Sequence, residues 1–127
     1  MSKKILFIIS TSDFYEYYNS LNIAVSLSAC NKKVYAFYTG YACNFLTNNW
    51  KNFDKKKLNL RIEKLNMIKY YELLELCIQS GIKFSICNTA KDFLEIKDSE
   101  ILKSIKNEKV SMYTIINEHK DSQIIFI

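Results

Sequence analysis

The sequence predicts an α/β fold, a three-layer α/β/α sandwich around a mainly parallel sheet of about five strands. Three observations carry that prediction. Short runs rich in β-branched residues alternate with stretches of helical period along the whole chain, and such alternation builds parallel sheets covered on both faces. The first run, residues 5–9, is continuously apolar, as a strand buried on both faces must be. The 127 residues are 49% hydrophobic and 24% charged, the mix of one compact domain over residues 1–127 with no room for a second core.

Residues 4–10 read as a central strand that ends in the polar run Ser10-Thr11-Ser12-Asp13. Asp13 suits a helix N-cap, and from Phe14 the period turns helical, with Phe14, Tyr17, Tyr18, Leu21, Ala24 and Val25 on one face. A second stripe, Ile23, Leu27 and Cys30, lies on the opposite face. A helix apolar on two sides needs cover on two sides, so a homo-oligomer is expected.

Residues 34–39 form the next strand, and Gly40 turns the chain into a short helix with Cys43, Phe45 and Leu46. Between residues 48 and 63 periodicity disappears, and the Asn- and Lys-rich composition reads as a long loop. A helix carrying Met67, Tyr70, Tyr71, Leu74, Cys77 and Ile78 follows, and Gly81 stops it at the C′ position. Residues 82–87 make a strand, and residues 88–96 turn helical at once. Cys87 is therefore the last strand residue before a helix N-terminus. Asp98-Ser99 is expected to cap a helix through residue 105, followed by a short strand at 109–111, a helix at 112–119 and a closing strand at 123–127.

Several function classes fall away. The longest apolar runs, residues 5–9 and 34–38, are far short of the ~20 residues that span a bilayer and of a secretory core segment, so a cytoplasmic location and no membrane partner are expected. Cys30, Cys43, Cys77 and Cys87 are spaced 13, 34 and 10 residues apart with no CxxC pair, and the only histidine, His119, is remote in sequence. That pattern suits free thiols and no metal site. With only Gly40 and Gly81 there is no phosphate-cradling glycine loop, and no cofactor is expected. The net charge of +5 is modest. The basic stretch 51–64 holds Trp50 and Phe53 within reach, a pattern that can stack on bases, but Asp54 and Glu63 interrupt it. Direct nucleic-acid binding is thus disfavoured, and a solvated surface loop or a lid is expected.

In a parallel α/β sheet, residues just after strands collect at the carboxyl edge, where ligands bind. Ser10, Thr11, Ser12, Gly40, Cys43, Cys87, Asn88 and Thr89 should meet there, whereas Cys30, Cys77 and His119 end helices and belong to the opposite edge. Cys30 and Cys77 are read as packing residues on apolar helical faces. Cys87 is the candidate reactive sulfur, because N–H groups of residues 88–90 and the positive end of the helix would favour its thiolate, with Lys91 assisting and Asp92 and Glu95 opposing.

The order of segments resembles the DsrE/DsrF-like family of sulfur-relay proteins, in its DsrE and TusD branch. The resemblance rests on the aromatic strand Phe37-Tyr38-Thr39-Gly40, on Gln79-Ser80-Gly81-Ile82, and above all on Phe84-Ser85-Ile86-Cys87-Asn88-Thr89-Ala90. It implies a five-stranded parallel sheet, trimers or hexamers, and persulfide transfer on Cys87 without metal or organic cofactor, between donor and acceptor proteins that the sequence does not name. Where the family commonly has a pocket-shaping glycine, this chain has Glu95. The competing expectation is an oligomeric binding module of the same fold that takes a small anion or a protein partner at the carboxyl edge. A thiol redox pair of Cys43 and Cys87 is a third.

Overall fold

The computed structural model describes residues 3–105 and 108–127. Its sheet has five strands, β1 (Lys4–Ile9), β2 (Lys33–Tyr38), β3 (Lys83–Cys87), β4 (Lys109–Val110) and β5 (Gln123–Phe126), in the order β4-β3-β2-β1-β5. Every neighbouring pair is parallel. β1 sits inside the sheet, and Ile5 to Ile9 are all buried, which explains their unbroken apolar character.

Five α-helices connect the strands: α1 (Phe14–Ala29), α2 (Leu58–Lys64), α3 (Tyr70–Gln79), α4 (Asn88–Phe93) and α5 (Met112–Glu118). Right-handed crossovers place α1 and α3 on one face of the sheet, while α5, which returns from β4 to β5, lies on the other. Two adjacent aromatic contacts confirm the split. Tyr38 of β2 reaches Tyr17 of α1, whereas Tyr35, whose side chain points to the opposite face, packs against His119 at the end of α5 with ring centroids 4.4 Å apart.

The core under α1 contains a chain of phenol hydroxyls. Tyr17 Oη lies 2.8 Å from both Tyr38 Oη and Tyr70 Oη, and Tyr70 donates to the Phe45 carbonyl. Each phenol has one proton. Because the carbonyl can only accept, Tyr70 must accept from Tyr17, and Tyr17 must accept from Tyr38. All three rings are 2% exposed or less, so this one-way relay is what makes their burial tolerable.

Four helices end in the same way. The residues after their C-caps, Asn31, Asn66, Gly81 and Glu95, have positive φ, and the two backbone bonds of a Schellman turn follow in each case. With two glycines in the chain, three of these ends use residues that carry a Cβ.

The structure corrects four expectations. The stretch read as a loop contains a 3-10 turn, Trp50–Phe53, and α2; buried Asp54 holds the start of α2 by accepting from the N–H groups of Leu58 and Asn59. The helix expected through residue 105 shrinks to a 3-10 turn, Asp98–Glu100, because the following backbone pairs with residues 46–48 instead, through an antiparallel Thr47–Ile101 bridge and the Leu102 N–H to Leu46 carbonyl bond. Cys30, read as packing, is exposed: it caps α1 at the end of the outward stripe, where Ile23 is 41% exposed and Leu27 half-buried. Among the described residues nothing covers that stripe fully. α3 also begins at Tyr70 rather than Met67, since Met67 closes the turn after α2.

Candidate functional site

The carboxyl edge forms where β1, β2 and β3 release the chain. Gly40 has φ +55 and an ideal Cβ there would stand 3.6 Å from Ser10; the positive φ lets β2 turn directly into a 3-10 turn, Gly40–Leu46. Cys87 ends β3 and is also the N-cap residue of α4, but its side chain makes no capping hydrogen bond. Its sulfur is therefore not spent on holding the helix. The residue is 4% exposed and borders a cavity of 470 Å³.

That cavity takes in Gly40, Cys87 and Thr89 from the expected edge residues, together with Thr39, which joins β2 to Gly40. Its apolar walls are Tyr41, Ala90, Phe93, Leu94 and Met112. Sequence reading missed these walls, although Tyr41 follows Gly40 and Met112 opens α5 soon after β4, the positions that the sheet-edge rule marks. Phe93 and Leu94 do not follow a strand; they share with Ala90 the i, i+3, i+4 face of α4, and that face is turned to the pocket.

The other expected residues divide. Ser12 borders an adjoining depression, together with Tyr41 and Leu94. Ser10 and Thr11 do not line the Cys87 cavity. Ser10 donates to the Ile127 carbonyl, and the Thr11 hydroxyl donates to Glu16 and accepts from the Asp13 N–H, so both organise the start of α1 and the end of the sheet. Asn88 is exposed, and its side-chain Oδ1 accepts from the Thr89 N–H at 2.8 Å. Cys43 is fully buried behind the cavity, with its thiol directed to the Tyr38 carbonyl. Burial, then the nearby Cys87 charge, pushes the Cys43 thiol up to about 12.

Cys77 lies in the core beside the tyrosine relay rather than at the opposite edge: it is buried with its thiol near the Leu21 carbonyl, and burial pushes it up to about 12. His119 lies beside Tyr35 and Ser122; burial holds its pKa below the usual value, with Glu118 raising and Lys4 lowering it. His119 and Cys87 therefore do not form a dyad, as the edge assignment expected. Among the described residues no group of three or more His, Cys, Asp or Glu side chains could hold a metal, and no helix is long and apolar enough to cross a membrane.

Lys91 does not assist Cys87. Its ammonium is buried and pairs with Asp98 at 2.6 Å, while Lys109 approaches the other Asp98 oxygen at 3.6 Å. Glu95 is the C′ residue of α4 with φ +55, and the N–H groups of Glu95 and Ile96 bond back to Asp92 and Lys91. A residue with a Cβ costs on the order of 1 kcal/mol in this conformation. Glycine avoids that cost, so the backbone keeps the shape of a glycine turn although the residue is glutamate.

Residues 3–126 match the family model described as the DsrE/DsrF-like family. Among solved structures, the chain is similar to the ychN protein from E. coli, with 14% identity, 100% of each chain covered and a TM-score of 0.71. It is also similar to BT1422 from Bacteroides thetaiotaomicron, a conserved protein of unknown function, with 14% identity, 98% of this chain and 95% of that one covered and a TM-score of 0.67. A third is MTH1491 from Methanobacterium thermoautotrophicum, also of unknown function, with 12% identity, 98% of each chain covered and a TM-score of 0.65. At these identities the likeness is one of fold. No curated protein matches.

Proposed function

The chain belongs to the DsrE/DsrF-like family, and from that membership and the position of Cys87 we propose that it is a cytoplasmic sulfur carrier that holds sulfane sulfur as a persulfide on Cys87. The observation that carries the reading is that Cys87 alone, among the four cysteines, both ends a strand at the carboxyl edge and borders a cavity. The Cys87 thiolate attacks the sulfane sulfur of a donor persulfide; the donor S–S bond breaks, the donor thiolate leaves with the electron pair, and a new S–S bond forms on Cys87. An acceptor thiolate then takes the same sulfur and releases Cys87 as thiolate. Sulfur moves without net oxidation, so neither metal nor organic cofactor has a role.

The test is incubation of the reduced protein with a persulfide donor, followed by intact mass. The expected result, in a Cys30→Ser background that removes the exposed thiol, is a gain of one sulfur atom that vanishes when Cys87→Ser is added. A gain retained in Cys87→Ser overturns the assignment and leaves the binding-module reading.

The same proposal includes a homo-oligomer. The Ile23, Leu27 and Cys30 stripe is incompletely covered, and at the other side of the sheet the edge strand β5 leaves Ile124 and Phe126 47% and 71% exposed. Sedimentation velocity at micromolar concentration should give a multiple of the 15.0 kDa chain; a single species of chain mass overturns this part.

A further inference from the structure

We propose that the carboxyl edge binds a small sulfur compound with two unlike ends, an aromatic or other apolar body seated at Cys87 and an anionic group held at Lys55 and Lys56. This rests on the reading of Cys87 as the reactive sulfur. The Cys87 cavity shares Tyr41 and Leu94 with a second depression of 470 Å³, which continues to Ser12, Phe53 and Lys55. A third, of 200 Å³, shares Ser12, Phe53 and Lys55 with the second and adds Lys56. The three thus follow one another along the carboxyl edge, each sharing wall residues with the next.

Its two ends differ in chemistry. Around Cys87 the walls are Tyr41, Phe93, Leu94 and Met112, with Phe93 itself 76% exposed at the rim, and no cationic side chain lines that cavity. A bare inorganic anion would lose hydration there and gain no partner, whereas an apolar body would be desolvated to advantage. At the far end Lys55 and Lys56 both border the depression, and among the described residues neither is ion-paired. Asp13 and Asp54 also border this end. Their carboxylates are turned to the chain, Asp13 accepting from the Glu16 N–H and Asp54 from those of Leu58 and Asn59. Both carboxylates are thus engaged by backbone N–H groups, and the lysine ammonium groups are the ones left to meet an anion. The basic stretch acquires a role here: it places positive charge at a fixed remove from the sulfur.

The test uses the full chain carrying Cys30→Ser and two aromatic disulfides of similar size, a neutral dipyridyl disulfide and a bis(nitrobenzoate) disulfide. In each reaction the Cys87 thiolate attacks one probe sulfur, the probe S–S bond breaks, and the aryl thiolate leaves with the electron pair. Release of the aryl thiolate gives the rate, and peptide mass gives the site. Combined Lys55→Gln and Lys56→Gln should slow the nitrobenzoate probe at Cys87 about tenfold and leave the neutral probe within about twofold, as expected for loss of a local attractive field. Lys32→Gln with Lys33→Gln, at the opposite edge, should alter neither probe. Equal rates with and without Lys55 and Lys56, or an equal slowing by both lysine pairs, overturns the two-ended site while a Cys87 that still reacts with the neutral probe leaves the carrier function standing. Failure of both probes to label Cys87 overturns both.

Discussion

Brought from neutral pH to about pH 11, the protein is expected to unfold cooperatively, because five buried groups must then lose protons that the fold retains. Burial is the first cause in every case: it pushes Cys43 and Cys77 up to about 12 and Tyr17, Tyr38 and Tyr70 well above the usual phenol value. In the unfolded chain the thiols ionise near roughly 8.5 and the phenols near roughly 10. Above those values the native state holds more protons than the unfolded one, so stability falls as pH rises. Each group contributes a slope of about 1.4 kcal/mol per pH unit, so the two thiols remove about 2.7 kcal/mol per unit above pH ~8.5, and all five remove about 7 kcal/mol per unit above pH ~10. Set against a total stability of about 5–15 kcal/mol for a domain of this kind, that slope ends the folded state within roughly one unit above pH 10.

The measurement is phenolate absorbance and far-ultraviolet circular dichroism on one alkaline titration. A steep fraction of the tyrosine absorbance should rise in the same narrow range in which the helical signal is lost. Ionisation of all nine tyrosines along one shallow curve, with the helical signal intact, would contradict both the burial of the three rings and the hydroxyl relay. The relay sharpens the expectation. Ionising Tyr38 removes the proton that it donates to Tyr17, and ionising Tyr70 leaves the Phe45 carbonyl without its donor, so one event disrupts the others.

Much of this architecture was legible because local pattern and tertiary role coincide in it. β1 is apolar throughout because both its faces are covered. Asp13 caps α1 through the Glu16 N–H, and Gly81 ends α3 at positive φ, each a signal carried by a single residue. Cys87 could be placed because strand and helix meet there without a linker. What escaped was decided by contacts distant in sequence. α2 is seven residues long, begins after Lys57 at φ +52, and takes its N–H acceptor from Asp54 rather than from an adjacent cap. The Asp98-Ser99 signal was real but short-lived, since pairing with residues 46–48 outweighed further coiling. The site was half legible: the edge rule finds residues by their place after a strand, and so reaches Gly40, Cys87 and Thr89, whereas Phe93 and Leu94 line the pocket through the face of α4 that they share with Ala90, and packing on the sheet decides which face a helix turns to a pocket.

Alkylation at about pH 8 should divide the cysteines two and two, with Cys30 and Cys87 modified and Cys43 and Cys77 slower by three or more orders of magnitude. Cys30 is exposed and Cys87 is reached through its cavity. For Cys43 and Cys77, pushed up to about 12 by burial, the reactive thiolate at that pH is on the order of one part in ten thousand, against roughly a quarter for an ordinary thiol. Both side chains also have no exposure, so the reagent must wait for an opening of the fold. Their rates should climb about tenfold per pH unit until alkaline unfolding exposes both together. The consequence reaches the mechanism. Cys43 is near enough to Cys87 to feel its charge, and a reactive thiol that reached a Cys87 persulfide would attack its inner sulfur, close a disulfide and expel hydrosulfide. A thiol held protonated does not do this, so a loaded Cys87 should keep its sulfur until an external acceptor arrives. Peptide mapping after a timed pulse of iodoacetamide, with Cys43→Ser compared for persulfide lifetime, checks both statements. Cys43 labelled as fast as Cys87, or a persulfide that persists markedly longer in Cys43→Ser, would mean that the two thiols work as a pair and that the carrier discharges itself.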